Sequence, residues 1–294
     1  DYKELKEEEH WEIIPGGNYY VTRNNSALIA FSIPKKPVWK FHIMASHSDS
    51  PALKIKENPE IEVEKAYIKL NVERYGGMLL APWFDRPLSV AGRLIVRKDG
   101  EIQEKLVTVD KDLLIIPNLA IHMNREVNDG YKYNVQKDML PLYSSYEGKG
   151  SFMKQVAAEA EVEEKDILGH DLFLYDRTAG TIWGADEEFV SAPRLDDIQC
   201  AFASFEGFLR GEHKKSIAVH CVLDNEEVGS STKQGAASTF LKDTLKRINM
   251  GLGRTEEEYL MALADSFMVS ADNAHALHPN HTDKTDPVNR PVIN

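Results

Sequence analysis

One apolar run constrains the fold more than any other stretch of the sequence. Residues 216–223 are mostly apolar, and the turn-forming pair Asp224 and Asn225 follows them. A short apolar run bounded by turn residues predicts a buried strand. Glu226 and Glu227 come next, at the carboxyl end of the predicted strand, where open α/β sheets bind their ligands. In extended backbone the two side chains point in opposite directions, so one can hold a metal while the other faces a water molecule. The alternative is a solvated acidic turn.

Three other predicted element ends also carry side chains that bind metals. They are His47 with Asp49 after a predicted strand at 39–46, Asp196 with Asp197 before a predicted helix, and Asp272 with His275 after a predicted strand at 267–271. Each pair by itself has an ordinary interpretation, either a surface turn or a helix N-cap. Four such ends in one α/β layer instead predict a single shared site.

The order of the predicted elements indicates an α/β fold with an insertion. Strands and helices alternate after about Gly180, which predicts a mainly parallel sheet flanked by helices. From about residue 68 the pattern changes to short strands separated by Gly, Pro and Asp turns, which predicts an inserted β-rich domain. We therefore predict a catalytic domain from 1–67 and 179–294, interrupted by an insert at 68–178. His122 closes an apolar run inside this insert, where the ordinary interpretation is a structural histidine.

Charge and hydropathy exclude several classes of partner. The 294 residues contain 47 acidic and 35 basic side chains, and the net charge of −12 argues against binding to nucleic acid or to an anionic membrane. No apolar stretch of the sequence is long enough to span a bilayer. The two cysteines, Cys200 and Cys221, lie in predicted core segments. Free thiols suit a reducing compartment, so we expect a cytoplasmic protein. The sequence begins with Asp1 rather than Met, and Val292 and Ile293 near its end are typical of the start of a strand, so we also expect a fragment that lacks both ends.

The types of the candidate residues indicate a reaction class. Histidine with carboxylates, and without cysteine, suits catalytic zinc, manganese or cobalt. A shared aspartate flanked by further ligands suits two ions roughly 3.5–4 Å apart, which activate water and polarise a carbonyl. A glutamate that is not a ligand can then serve as the general base. The sequence therefore predicts metal-assisted hydrolysis.

Five strings of the sequence are similar to those of a known family. They are HSDSP at 47–51, WFDR at 83–86, SAPRLDD at 191–197, DNEEVGS at 224–230 and SADNAHA at 270–276. Their content and order resemble the aspartyl aminopeptidase family of zinc exopeptidases over the whole chain. The resemblance implies a catalytic α/β domain with an inserted β-rich dimerisation domain.

The resemblance also implies a role for each candidate residue. The implied ligands of two divalent ions are His47, Asp196 as the bridge, Glu227 and Asp272. The implied roles of the other residues are general base for Glu226, orientation of His47 for Asp49, substrate contact for His275, and entry into a neighbouring subunit's active site for His122. One further implied ligand, a histidine in a Met-His-Ser context, has no counterpart in this sequence.

The implied activity is removal of the N-terminal residue from peptides, with a preference for acidic residues. The implied assembly is a dodecamer built from dimers, which associate through the inserted domain. Two alternatives stay open on the sequence. One is a metal-dependent amidohydrolase or deacetylase of the same architecture, and the other is a catalytically incomplete relative that serves in binding or assembly.

Overall fold

The computed structural model describes residues 1–293, and their contacts divide the chain into two units. Unit 1 comprises Asp1–Ser50 together with the chain from Arg194 onwards, and unit 2 comprises Pro51–Pro193. The chain therefore leaves unit 1 once and returns once, as an insertion does. No helix among the described residues has both the length and the apolar composition needed to cross a membrane.

Unit 1 is built on a mixed sheet that has six strands within the described residues. The strands are β1 (Lys3–Leu5), β2 (Asn18–Arg23), β3 (Ala27–Ser32), β4 (Phe41–His47), β13 (Ile217–Leu223) and β14 (Phe267–Ser270). Their spatial order is β1-β2-β3-β13-β4-β14. The pairs β1–β2, β13–β4 and β14–β4 are parallel, whereas β2–β3 and β13–β3 are antiparallel. The predicted apolar strand before Glu226 is thus confirmed as β13, near the centre of the sheet.

Helices cover both faces of this sheet. They are α3 (Leu195–Arg210), α4 (Phe240–Gly251) and α5 (Glu256–Ala264). Alternate residues of a strand point to opposite faces. Val219 accordingly packs in one cluster with Phe240 of α4 and Tyr259 of α5, while its neighbour Ala218 packs with Phe208 of α3. A capping box opens α5. The Thr255 hydroxyl accepts the Glu258 N–H at 3.3 Å, and the Glu258 carboxylate accepts the Thr255 N–H at 2.7 Å.

Unit 2 is rich in β structure, as the sequence predicts. Its main sheet has the order β8-β7-β10-β5-β6-β9 among the described residues, and neighbouring strands pair antiparallel. The strands are β5 (Ala52–Val63), β6 (Tyr67–Tyr75), β7 (Leu88–Lys98), β8 (Glu101–Thr108), β9 (Leu142–Ser145) and β10 (Ile167–Asp176). The hairpin β11 (Thr181–Trp183) and β12 (Phe189–Ser191) and the helices α1 (Val135–Asp138) and α2 (Phe152–Glu159) complete the unit. Fully buried Phe152 and Leu172 belong to its separate apolar core.

The contacts place the unit boundaries closer to the candidate site than the predicted boundaries at 67/68 and 178/179. Strand β5 pairs with β6 from Ala52↔Tyr75 to Val63↔Tyr67, so residues 52–63 belong to the sheet of unit 2. At the other end, the β11–β12 hairpin is also part of unit 2. The insert as defined by contacts therefore begins and ends within a few residues of His47 and Asp196.

Candidate metal centre

Three parallel strands bring their carboxyl ends to one edge of the unit 1 sheet. Strand β4 ends at His47, which stands beside Leu223 at the end of β13. On the other side of β4, β14 pairs through Ser270↔Ala45, and the Ala271 N–H continues this pairing by donating to the Ala45 carbonyl at 2.7 Å. Residues that follow these strands must therefore lie close together, although they are far apart in the sequence.

The first group of candidate ligands surrounds the His47 ring, which is buried. Its Nε2 lies 3.4 Å from Oδ1 of Asp196, 3.8 Å from Oδ1 of Asp272 and 4.0 Å from Oδ2 of Asp197. One ligand atom from each of these four residues lies within 4.8 Å of the other three. Two different chain segments, the start of α3 and the end of β14, thus supply carboxylates to one imidazole.

Glu226, Glu227 and His47 form a second group, whose ligand atoms also lie within 4.8 Å of one another. The expectation that the two glutamates lie in extended backbone is wrong. Strand β13 ends at Leu223, Asn225 adopts a left-handed conformation, and residues Glu226–Val228 form a 3₁₀ turn. The turn, rather than strand alternation, directs both carboxylates toward the same imidazole.

The carboxylate of Asp49 connects the two groups. Its Oδ1 lies 3.3 Å from Nδ1 of His47 and accepts the Glu226 N–H at 3.1 Å. Its Oδ2 accepts the Glu227 N–H at 3.1 Å. A partner on the second ring nitrogen fixes the tautomer and orientation of a ligating histidine. Asp49 is therefore positioned to orient His47 and the Glu226–Glu227 turn at the same time.

The two adjacent aspartates do not act as ordinary helix caps. Arg194 occupies the N-cap position of α3 in a left-handed conformation, and no side chain makes a cap hydrogen bond there. The buried Asp197 instead accepts the His47 N–H through Oδ2 at 3.1 Å, while its Oδ1 has no hydrogen-bond partner within the described residues. The Ser50 hydroxyl donates to the Asp196 carbonyl at 2.7 Å. The helix-cap interpretation of this pair is therefore wrong, and Asp197, for which the resemblance implies no separate role, joins the first group.

The electrostatics of the centre reflect an excess of negative charge. Burial, together with the neighbouring charges of Asp196 and Glu226, raises the pKa of Glu227 to about 7. Burial also raises the pKa of Asp196, and so does Asp272. For His47, burial lowers the pKa, but the surrounding carboxylates outweigh this effect and the pKa is raised. Burial and the close packing of carboxylates together account for these directions, and a bound cation would relieve the repulsion between the carboxylates.

The donor set fits a divalent metal. One imidazole and several carboxylates with converging oxygens match the ligands of catalytic zinc, manganese or cobalt. The unpartnered Oδ1 of Asp197 is a buried acceptor, and a buried acceptor without a hydrogen bond is costly unless a cation lies near it. The types of the ligand atoms and their positions therefore both support a cation site at this edge of the sheet.

Besides Asp49, two of the predicted site residues lie outside both groups. His275 follows Asp272 in the same segment and is exposed. His122 lies in unit 2, on an exposed 3₁₀ turn formed by Ile121–Met123. Their substrate-binding roles, like the individual roles of the other site residues, stay predictions.

Comparison with known proteins identifies the family. The sequence matches the profile of the family described as aminopeptidase I zinc metalloprotease (M18) over residues 1–294. A probable M18 family aminopeptidase 2 of Clostridium acetobutylicum is 46% identical over 301 residues, which cover 100% of this chain and 70% of that protein.

Solved structures agree with this relationship. A chain in the cryo-EM structure of the Ape4 and Nbr1 complex has a TM-score of 0.93 and 34% identity, with 100% of this chain and 61% of that chain covered. The S. cerevisiae mApe1 dodecamer has a TM-score of 0.83 and 28% identity, with coverage of 100% and 69%. The predicted α/β fold, the predicted relationship and the predicted class of peptide hydrolase are confirmed. On its fold, its zinc-type donor set and these matches, the chain belongs to the aminopeptidase I zinc metalloprotease (M18) family.

Proposed function

We propose that this protein is a two-metal aminopeptidase that hydrolyses the N-terminal residue of peptides. The observation that carries the proposal is the convergence on His47 of carboxylates from three other chain segments. Membership of a zinc metalloprotease family supports the same chemistry. The chain spans 70% of the Clostridium relative and 61% of the Ape4 chain, so the proposal concerns the protein to which these residues belong.

The ligand assignment is the one that the resemblance to aspartyl aminopeptidases implies, and the two groups are compatible with it. His47 and Asp272 would hold one ion, Glu227 would hold the second, and Asp196 would be a ligand to both. Asp196 suits this role because its carboxylate faces His47 and Asp272, while its charge also acts on Glu227. Bound ions of this kind polarise the scissile carbonyl and activate water. Zinc is the proposed metal, with cobalt and manganese as alternatives of the same preferred ligand chemistry.

Glu226 is the proposed general base. Its side chain is exposed, unlike the buried His47, so water and substrate can reach it. The carboxylate takes a proton from the attacking water as the new C–O bond forms. It then returns that proton to the amine as the C–N bond breaks, which leaves Glu226 in its starting state. Asp49 holds the backbone of this turn in place through the Glu226 and Glu227 N–H groups.

The finer substrate preference rests on the resemblance to aspartyl aminopeptidases. We propose an acidic N-terminal residue as the preferred substrate, with His275 in contact with it. A panel of aminoacyl-naphthylamides tests this preference, and equal or leucine-favouring rates contradict it. Including N-acetylated amino acids in the panel tests the deacetylase alternative, because an aminopeptidase requires a free α-amino group.

Assembly through unit 2 is proposed on two grounds. The S. cerevisiae mApe1 structure with the same fold is a dodecamer, and the resemblance assigns dimerisation to the insert. We propose dimers that build a dodecamer, with His122 of each subunit donated to the active site of its neighbour. A cytoplasmic location is proposed from the free thiols of Cys200 and Cys221.

Substitution of Glu226 tests the central proposal. Glu226→Gln preserves the shape of the side chain but cannot accept a proton, so turnover should fall by roughly 10²–10⁴-fold while metal content is retained. Asp196→Ala should lose metal as well as activity. Glu257→Gln makes the same chemical change at an exposed position on α5 and should behave as wild type.

Metal removal provides the second arm of this test. Chelation should abolish turnover, and added zinc, manganese or cobalt should restore it. Full turnover by protein that elemental analysis shows to be metal-free would overturn the two-metal proposal. A Glu226→Gln variant that works at the wild-type rate would overturn only the assignment of the base.

A further inference from the structure

The first ligand group depends on two segments that the chain does not connect directly. Asp196 and Asp197 belong to the start of α3, whereas Asp272 follows β14. On its N-terminal side Asp272 is fixed by the sheet, because the Ala271 N–H donates to the Ala45 carbonyl at 2.7 Å. On its C-terminal side the described chain leaves the sheet, since no strand follows up to residue 293. A contact from this second side would therefore help to fix the position of Asp272.

The side chain of Asn273 makes the connection. Its Oδ1 accepts a hydrogen bond from the Cys200 thiol, with a Sγ–Oδ1 distance of 3.0 Å. Its Nδ2 donates to Oε1 of Gln199 at 3.3 Å. Both partners lie in the first turns of α3, directly after the two aspartates. The amide thus uses its acceptor and its donor on the same helix.

We propose that Asn273 is a positioning residue that holds Asp272 at the distance from Asp196 and Asp197 which a shared metal ion requires. The Asn273 backbone follows Asp272 directly, and its side chain is tied to the helix that carries the two aspartates. The two hydrogen bonds of Asn273 therefore connect the segment that carries Asp272 to the helix that carries the other two carboxylates. This inference rests on the proposed function, because it takes the group to be a metal site.

The three side chains contribute unequally. Asn273 supplies both hydrogen bonds, so Asn273→Ala removes the whole link, whereas Gln199→Ala or Cys200→Ala removes one hydrogen bond each. Cys200→Ser keeps an O–H donor at nearly the same place and should restore the bond that alanine loses. Substitution of residues that support metal ligands typically weakens metal binding 10–100-fold. We therefore expect zinc affinity about tenfold lower in Asn273→Ala and intermediate in the two single-bond variants.

The experiment measures the dissociation constant of zinc by chelator competition in the purified protein and in each variant. Asn280→Ala serves as the matched control, because Asn280 is exposed in the same segment and outside the ligand group. Thermal unfolding of the metal-free proteins is recorded in parallel, since a residue with a merely structural role would lower this stability without changing zinc affinity. The expected pattern is weaker zinc binding in Asn273→Ala, wild-type binding in Asn280→Ala, and recovery in Cys200→Ser relative to Cys200→Ala.

The outcomes separate this inference from the proposed function. Equal zinc affinity in wild type and Asn273→Ala overturns the positioning role and leaves the metal centre intact. Lower metal-free stability with unchanged zinc affinity overturns it too. If Asn273→Ala does not fold, Gln199→Ala decides, because Gln199 is exposed and its substitution removes a single bond. Failure of the wild-type protein to bind zinc overturns the proposed function itself.

Discussion

Acid should weaken the packing of α3 on β13 through one buried histidine. His220 lies in the middle of β13 and is 1% exposed. Its ring stacks on Phe208 with centroids 5.7 Å apart and contacts the Phe205 ring at 5.6 Å. Its Nδ1 is buried without a hydrogen-bond partner within the described residues. Burial in this apolar setting lowers the pKa of His220 to about 4. The imidazole must therefore stay neutral for α3 to remain packed on this strand.

The expected magnitude follows from linkage. A histidine whose pKa is lower in the folded state contributes stability that is fully present above the unfolded pKa of about 6.5. That stability is lost as the pH falls toward the folded pKa of about 4. At pH 5 the unfolded imidazole is almost fully protonated and the folded one is mostly neutral. Taking each pKa unit as about 1.4 kcal/mol, unit 1 should be about 2 kcal/mol less stable at pH 5 than at pH 8 because of this residue.

The assay compares wild type with His220→Leu, which cannot titrate. The metal-free proteins are unfolded in urea at pH 8 and pH 5. Amide hydrogen exchange in β13 monitors the unfolding and therefore reports on unit 1 alone. The free energy of unfolding of His220→Leu, relative to that of wild type, should rise by about 2 kcal/mol from pH 8 to pH 5. His42→Leu makes the same change at an exposed position on the neighbouring strand β4 and should not gain. An identical pH dependence in wild type and His220→Leu, or a directly measured pKa near 6.5, would refute the reasoning.

Two further predictions concern the site itself. Asp49→Asn places an amide NH₂ where a carboxylate oxygen accepts the N–H of Glu226 or Glu227, and zinc affinity should fall roughly 10–100-fold by chelator competition. The control Asp265→Asn, at the exposed C-terminal end of α5, should retain the wild-type zinc affinity. An unchanged zinc affinity in Asp49→Asn would mean that Asp49 does not orient the centre. His122→Ala should lose roughly 10²–10³ in turnover if the partner's imidazole binds the oxyanion. Mixing inactive His122→Ala with inactive Glu226→Gln under subunit exchange should restore activity, and no recovery after confirmed exchange would place His122 outside the partner's site.

The sequence predicted β13 best, because its apolar run is bounded by turn residues. Strand β5 was not predicted. It contains the polar stretch around Pro59, and its pairing with β6 shifts register between Ile55 and Glu60. Proline and an interrupted register conceal a strand from any pattern based on alternation.

The convergence of several candidate ligands was predictable from the sequence, but their local geometry was not. Parallel strands bring their carboxyl ends together, so the convergence of His47 with Asp272 and the Glu226–Glu227 pair follows from topology. Which of two adjacent acidic side chains points inward depends on backbone angles that residue types do not determine. Asp197 is fully buried and bonded to the His47 N–H, although its sequence position is equally compatible with a solvent-facing helix cap.

The hydrogen bond between Ser50 and Asp196 has a consequence for how this architecture can change. It joins the last residue before the insert to a residue just after it, at 2.7 Å. The points at which the chain leaves and re-enters unit 1 are thus held together, and a short linker could join them. Insertions and exchanges succeed at sites where the ends lie close in space. A different module could therefore replace the insert while the strand order of unit 1 is kept, although the proposed contribution of His122 to a neighbouring active site would be lost with the insert.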